Sequence, residues 1–208
     1  MVPAMDDLNK ALGDLSHIRK QMARTTEFRG YGPATLAATG VLAVVAAAAQ
    51  AKWVPQPARD VRGYLAVWFA TAVVCGGLIA VQMYTRARRM HSAMADEMIQ
   101  MAVEQFFPAL VAGLLVTMVL AHLAPHAIWM LPALWQLIYS LGVFSSCRFL
   151  PRPVMLGGAW YLLTALVCLG FGDTRALSPW TMGLAYGAGQ MVIAAALYAG
   201  TEGAGDDA

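Results

Sequence analysis

Six long stretches without a single Asp, Glu, Lys or Arg divide this chain: 34–51, 63–85, 106–124, 127–147, 153–172 and 177–200. Each has close to the ~20 residues that a helix rising ~1.5 Å per residue needs to cross a hydrocarbon layer of ~30 Å. Lipid offers no water to backbone N–H and C=O groups, so such stretches form helices, which satisfy their own. Six of them within 208 residues leave little chain for a soluble fold. The sequence therefore predicts an all-α, polytopic membrane bundle of six transmembrane helices. An N-terminal amphipathic helix and a cytoplasmic helical extension between helices two and three complete it. The 12% of charged residues fits, since an ordinary soluble domain has roughly 25%.

This reading divides the chain into a cytoplasmic amphipathic helix and linker (1–33), a six-helix domain (34–200, with the helical segment 86–105) and a disordered acidic tail (201–208). Breaks fall where turn residues stand: Pro55, Pro57 and Asp60, Pro125-His126, Pro151-Arg152-Pro153, and Gly172-Asp173. Pro108 and Pro132 are expected in first helical turns, where a missing N–H costs little. Trp53, Tyr64, Trp68, Tyr84, Phe106, Phe107, Trp129, Phe149, Trp180 and Tyr198 crowd the ends of the stretches, as an interfacial aromatic belt would.

Basic residues set the expected orientation. Six crossings put Lys10, Arg19, Lys20, Arg24, Arg29, Arg86, Arg88, Arg89, Arg148 and Arg152 on one side, against Lys52, Arg59, Arg62 and Arg175 on the other. The richer side is the cytoplasmic one, which places both termini inside. The acids Asp6, Asp7, Asp14 and Glu27 and the lack of an unbroken apolar core before residue 33 argue against a cleaved signal peptide.

Two segments outside the spans are organised. Met5, Leu8, Leu12, Leu15, Ile18 and Met22 recur at helical spacing. Such a stripe suits first a helix lying on the bilayer surface, and second one that docks on a protein partner or on a second copy. Between Arg86 and Gln105 no Pro or Gly interrupts the chain, so the helix is expected to continue there. It carries Met90, Met94, Met98 and Met101 as one stripe, behind Arg86, Arg88 and Arg89 at the membrane exit. Methionine faces adapt to varied contacts, and cations at that level attract anionic head groups.

Chemistry within the spans is sparse. Proton- and sodium-coupled carriers ordinarily need a carboxylate at depth, and these stretches have no Asp, Glu, Lys or Arg. Gln136 and Tyr139 share a helix face, while Gln82 and Gln190 lie in the second and sixth spans. These four are the candidate polar intramembrane cluster. His122 and His126 stand four apart without a third ligand, which favours an interfacial pair over a metal site. Cys75, Cys147 and Cys168 are far apart and read as packing residues. Ala72, Gly76 and Ala80, and Gly183 and Gly187, are small-xxx-small series that permit close helix approach. Catalytic, cofactor and metal residues are not predicted, and a net charge of +2 gives no reason to expect a nucleic-acid partner.

Ile18-Arg19-Lys20-Gln21-Met22, Glu27-Phe28-Arg29, WQLIYSLGVFSSCRFLPRPV and WTMGLAYGAGQMVIAAALY together resemble an uncharacterised family of small bacterial inner-membrane proteins. The family pattern has a Gly where Ser140 stands. The resemblance implies a bacterial cytoplasmic membrane and cytoplasmic partners, and it implies no activity. The leading functional expectation is a non-enzymatic accessory or regulatory protein that engages a partner or the lipid surface through its cytoplasmic helices. A carrier or channel for a neutral or lipidic solute is the alternative, and a membrane enzyme comes third.

Overall fold

Small residues recur through Pro33–Trp53, the first helix (α1), at positions 39, 40, 43, 46 and 47, and they are buried together with Leu36 and Gln50. A face of Thr, Gly and Ala lets another backbone come close, which is how helices gain packing energy where lipid is as apolar as the protein. The computed structural model describes residues 32–90, 93–147 and 152–202, and these are helical almost throughout. After α1 come α2 (Val61–Met90), α3 (Ala93–His122), α4 (Leu131–Ser146), α5 (Met155–Gly170) and α6 (Pro179–Glu202).

Four helical segments are long and apolar enough to cross a membrane: Pro33–Trp53, Val61–Thr85, Pro125–Ser146 and Pro179–Ala199. The other two apolar segments, Phe106–His122 and Met155–Gly170, are shorter than the sequence stretches that announced them. Local backbone geometry explains both. The amides of Leu123 and Ala124 both bond to the Val119 carbonyl, which closes α3 ahead of Pro125. Pro153 lies in a 3-10 turn, Arg152–Val154, that delays the start of α5. Gly172, with φ at 66°, turns the chain away after Gly170, as a glycine following a helix C-terminus commonly does.

Polar residues stop and start the hairpins. Asp60 accepts from the Gly63 amide at 2.9 Å and caps α2. Asp173 accepts from the Arg175 amide at 2.8 Å and from its guanidinium at 2.8 Å, outside the helices. Those bonds hold its carboxyl below the usual carboxylate range. Pro132 does sit in a first turn, but Pro108 lies inside α3. The uninterrupted run before Phe106 starts that helix at Ala93, and it continues through the proline with one ladder bond lost.

The first and last helices make the closest pair. A Cβ at Gly40 would stand 2.9 Å from the Gly187 carbonyl, and one at Gly187 would stand 2.8 Å from Val44. Contacts then run from α6 to α5, from α5 to α4 and from α4 to α3, while α2 leans on α1. Neighbours in sequence, α2 and α3 touch each other sparsely, so the six helices form an arc with a gap between them. Large apolar side chains such as Val41, Val73, Val119, Leu163 and Leu184 point outward all around the arc. Water would not tolerate so wide an apolar surface, whereas a hydrocarbon solvent does.

Two members of the expected aromatic belt belong to the interior. Tyr64 and Trp68 are 1% and 5% exposed. Trp68 donates to Gln50, and Tyr64 stacks on Trp135 with ring centroids 6.3 Å apart. Trp53, Tyr84, Trp180 and Tyr198 are outward-facing. The N-terminal stripe of Leu8, Leu12, Leu15, Ile18 and Met22 and the tail beyond residue 202 lie outside the described residues. So do the side chains of Arg86, Arg89, Met90, Met94, Met98 and Met101.

Candidate functional site

The gap between α2 and α3 opens into a cavity of about 590 Å³, within the roughly 300–1,000 Å³ typical of small-ligand sites. Its walls come from five helices. Ala72, Gly76 and Ala80 supply the α2 side, Phe107 and Leu110 the α3 side, and residues of α1, α4 and α6 the floor. Gly76 has open space where a side chain would point. The α2 series of small residues therefore borders a void within this chain, whereas the α6 series is packed tightly. A Cβ at Gly183 would collide with that of Ala47.

Tyr139 and Gln190 meet at this floor. Gln190 Nε2 donates to the Tyr139 hydroxyl at 2.7 Å, and both residues line the cavity. Around them Tyr139, Tyr161 and Tyr186 form a ring cluster with centroid separations of 4.7, 5.4 and 5.1 Å. Edge-on and tilted arrangements of this kind stabilise an aromatic cluster and fix its geometry. Gly189 makes the cluster possible, since a Cβ there would run into the Tyr161 ring. Gln190 is 6% exposed and its carbonyl oxygen has no partner.

The other two residues of the candidate cluster stand elsewhere. Gln136 is fully buried between α4 and α6, where Nε2 donates to the Thr181 carbonyl at 3.1 Å. Gln82 accepts from the Gly32 amide at 3.2 Å and so closes the start of α1. Neither lines the cavity. Helical spacing put Gln136 and Tyr139 on one face of α4, yet α6 meets that face at two levels, so each finds a different partner.

Several polar contacts had no signal in the sequence beyond a polar residue in an apolar run. Gln50 donates to the Leu177 carbonyl at 2.9 Å and accepts from Trp68 Nε1 at 2.7 Å. Trp135 Nε1 donates to Thr117 at 2.9 Å, joining α4 to α3. Ser140 donates to the Gly158 carbonyl at 2.8 Å, joining α4 to α5. His122 is exposed and bonds to the Met118 carbonyl of its own helix, and His126 is exposed as well. Among the described residues there is no group of His, Cys, Asp or Glu that could hold a metal ion. The three cysteines are free. At the end of α2 the Arg88 guanidinium lies over the Tyr84 ring, 4.9 Å from its centroid.

Fold and site thus define an all-α protein with four helical segments long and apolar enough to cross a membrane, and with a cavity that no charged residue lines. No family model matches the chain, and neither does any curated protein or solved structure with which it was compared.

Proposed function

We propose that this chain is a six-span protein of the bacterial cytoplasmic membrane, with both termini cytoplasmic, that takes a neutral or lipidic solute into the cavity between α2 and α3. One observation carries the reading: an apolar cavity of about 590 Å³ lies beside a gap in the helix arc, with a buried Tyr139–Gln190 pair in its wall. A molecule can enter such a gap sideways from the hydrocarbon. Lining residues that are almost all apolar exclude ions by their desolvation cost. The inward basic bias and the resemblance of the last three spans to small inner-membrane proteins support the orientation and the location.

The test is to purify the protein in mild detergent and identify what comes with it by mass spectrometry, in the natural chain and in Gly76→Leu. A leucine at that open position projects into the cavity and narrows it. The natural chain is expected to carry an apolar molecule in stoichiometric amount, and the narrowed variant to have lost it. The same bound complement in both would end this reading.

A second reading, of a non-enzymatic accessory or regulatory protein, has its own support. Helix α3 begins at Ala93, well before the apolar segment that opens at Phe106. A helical stem on the cytoplasmic side is a platform for a partner protein or for lipid head groups. Deleting residues 1–26 should change the set of co-purifying proteins, and an unchanged set would remove this reading.

A further inference from the structure

The cavity beside the gap is long rather than round. Its wall runs on α2 from Trp68 to Met83 and on α6 from Met182 to Leu197, about 22 Å of helix at ~1.5 Å per residue. Spread over that length, about 590 Å³ gives a mean cross-section of roughly 27 Å². A helix with its side chains is ~10 Å across and needs about three times that area, so a spanning segment of a partner protein does not fit. A methylene chain in contact with its walls at ~4 Å needs roughly 20 Å².

Aromatic side chains stop one end of this slot. Trp135 of α4 donates to Thr117 of α3 at 2.9 Å and meets Phe69 of α2 edge-on, with ring centroids 5.8 Å apart, so three helices are joined there. Trp68 lines the same end and is held by its bond to Gln50. Further along, the polar side chains of the wall are engaged within the protein. Thr39, Thr71 and Ser146 bond back to carbonyls of their own helices, and Gln190 donates to Tyr139. Among the described residues no Asp, Glu, Lys, Arg or His lines the slot, so a charged group inside would lose its hydration without a counter-charge. Beyond Met83, at the other end, α2 goes on to Arg86, Arg88 and Arg89. Arg88 is exposed, and cations at that level complement the phosphate of a lipid head group.

Resting on the cavity reading above, we infer that the occupant is one straight acyl chain of a phospholipid. Its terminal methyl group lies toward Trp68 and Trp135, and its head group stays outside the protein, at the arginine-bearing end of α2. The chain enters sideways through the gap between α2 and α3 while the glycerol remains in the bilayer. With bonds of ~1.5 Å at ~111°, an extended chain advances ~1.3 Å per carbon, so roughly 16–18 carbons fill the slot.

The experiment uses the full chain in phosphatidylcholine nanodiscs doped with a phosphatidylcholine that bears a photoreactive diazirine at the end of one acyl chain. Labelled residues are mapped by mass spectrometry after irradiation. A 16-carbon chain should label Trp135 and Met182, and a 10-carbon chain should label Cys75 or Tyr139, about halfway along. A headless 16-carbon alkane with the same group can enter either way round and should label both ends. Gly76→Leu should lose the label at Trp135 and Met182 and keep that on the outward-facing Val73 and Leu163. The depth readings on the natural chain need no variant, so they stand even if Gly76→Leu does not fold.

Equal depths for the two chain lengths, or a 16-carbon label at Met83 and Leu197, would overturn the acyl-chain inference. So would labelling of the slot by the alkane alone, and in each of these cases the cavity reading survives. Labels from every probe confined to outward-facing residues, or a label at Trp135 and Met182 that persists in Gly76→Leu, would overturn the cavity reading as well.

Discussion

Trp68 Nε1 donates to Gln50 Oε1 at 2.7 Å, and the same amide donates from Nε2 to the Leu177 carbonyl at 2.9 Å. One fully buried side chain thereby joins the end of α1, the start of α2 and the turn that leads into α6. Its capacity is well used, because the partners come from both sides of the amide. Gln50→Leu keeps much of the volume and leaves an indole N–H and a backbone carbonyl without partners. It should lower stability by about 1–3 kcal/mol. Thermal unfolding in detergent, followed by size-exclusion chromatography, measures this. Gln82→Leu, which removes one bond at a half-buried rim, should cost less than half as much, and equal losses would contradict the ranking.

Glycines on α6 and α2 should respond in opposite directions. A methyl group at Gly183 collides with Ala47 across the tightest helix pair, whereas Gly76 has nothing near it. Gly183→Ala is therefore expected to destabilise by about 1–3 kcal/mol through overpacking. Gly76→Ala should be neutral or stabilising by up to ~1 kcal/mol, the helix propensity gained. The same thermal assay decides the matter, and a Gly76→Ala chain that melts first would show that the void is closed.

The bond between α4 and α5 is expected to matter less than the surface on which it sits. Ser140→Ala removes a hydroxyl that donates to the Gly158 carbonyl at 2.8 Å, a loss of about 0.6 kcal/mol by the average for bonds between membrane helices. Gly158→Ala places a Cβ 2.7 Å from the Phe144 ring, and the ring must shift or the helices must part. The glycine variant should be the less stable of the two by at least ~1 kcal/mol, again by thermal unfolding. The reverse order would mean that the hydroxyl, and not the close approach, holds α4 to α5.

The all-helical character of the chain was legible because lipid leaves a charge-free run of that length few alternatives. Helix ends were read less well. The stretch 153–172 became Met155–Gly170, because proline at one end and a left-handed glycine at the other shorten a helix more than composition reveals. Gln50 looked like one more residue of an alanine-rich run, although it is the best connected side chain of that region. Tyr64 and Trp68 stand where an interfacial belt would be, and only the approach of α1 and α4 makes them interior. Pairing of the intramembrane polar residues was the least legible feature, because sequence gives the face of a helix but not the depth at which a neighbour crosses it. Thus Gln190 met Tyr139, while Gln136, one turn from Tyr139, met Thr181.

The cations that set the expected orientation differ in what they touch. Arg175, one of four cations assigned to the outer side, is paired with Asp173 at 2.8 Å. The same contact holds the Asp173 carboxyl below its ordinary range, so the pair stays ionised at neutral pH. Its contribution is lost only as pH falls through that lowered value. The other three cations expected outside, Lys52, Arg59 and Arg62, share one hairpin with Asp60. The orientation rule counts Lys and Arg rather than net charge, so Arg86, Arg88 and Arg89 stay on the side expected to be richer, and α2 should cross with its N-terminal end outward. Reporter fusions within 52–62 and within 86–105 are expected to report opposite sides of the membrane, the second one cytoplasmic. The first should remain outward in Asp173→Asn, since acidic residues weigh little in setting orientation. If both fusions reported the same side, α2 would not cross, and a cavity opening sideways into the bilayer beside it could not exist.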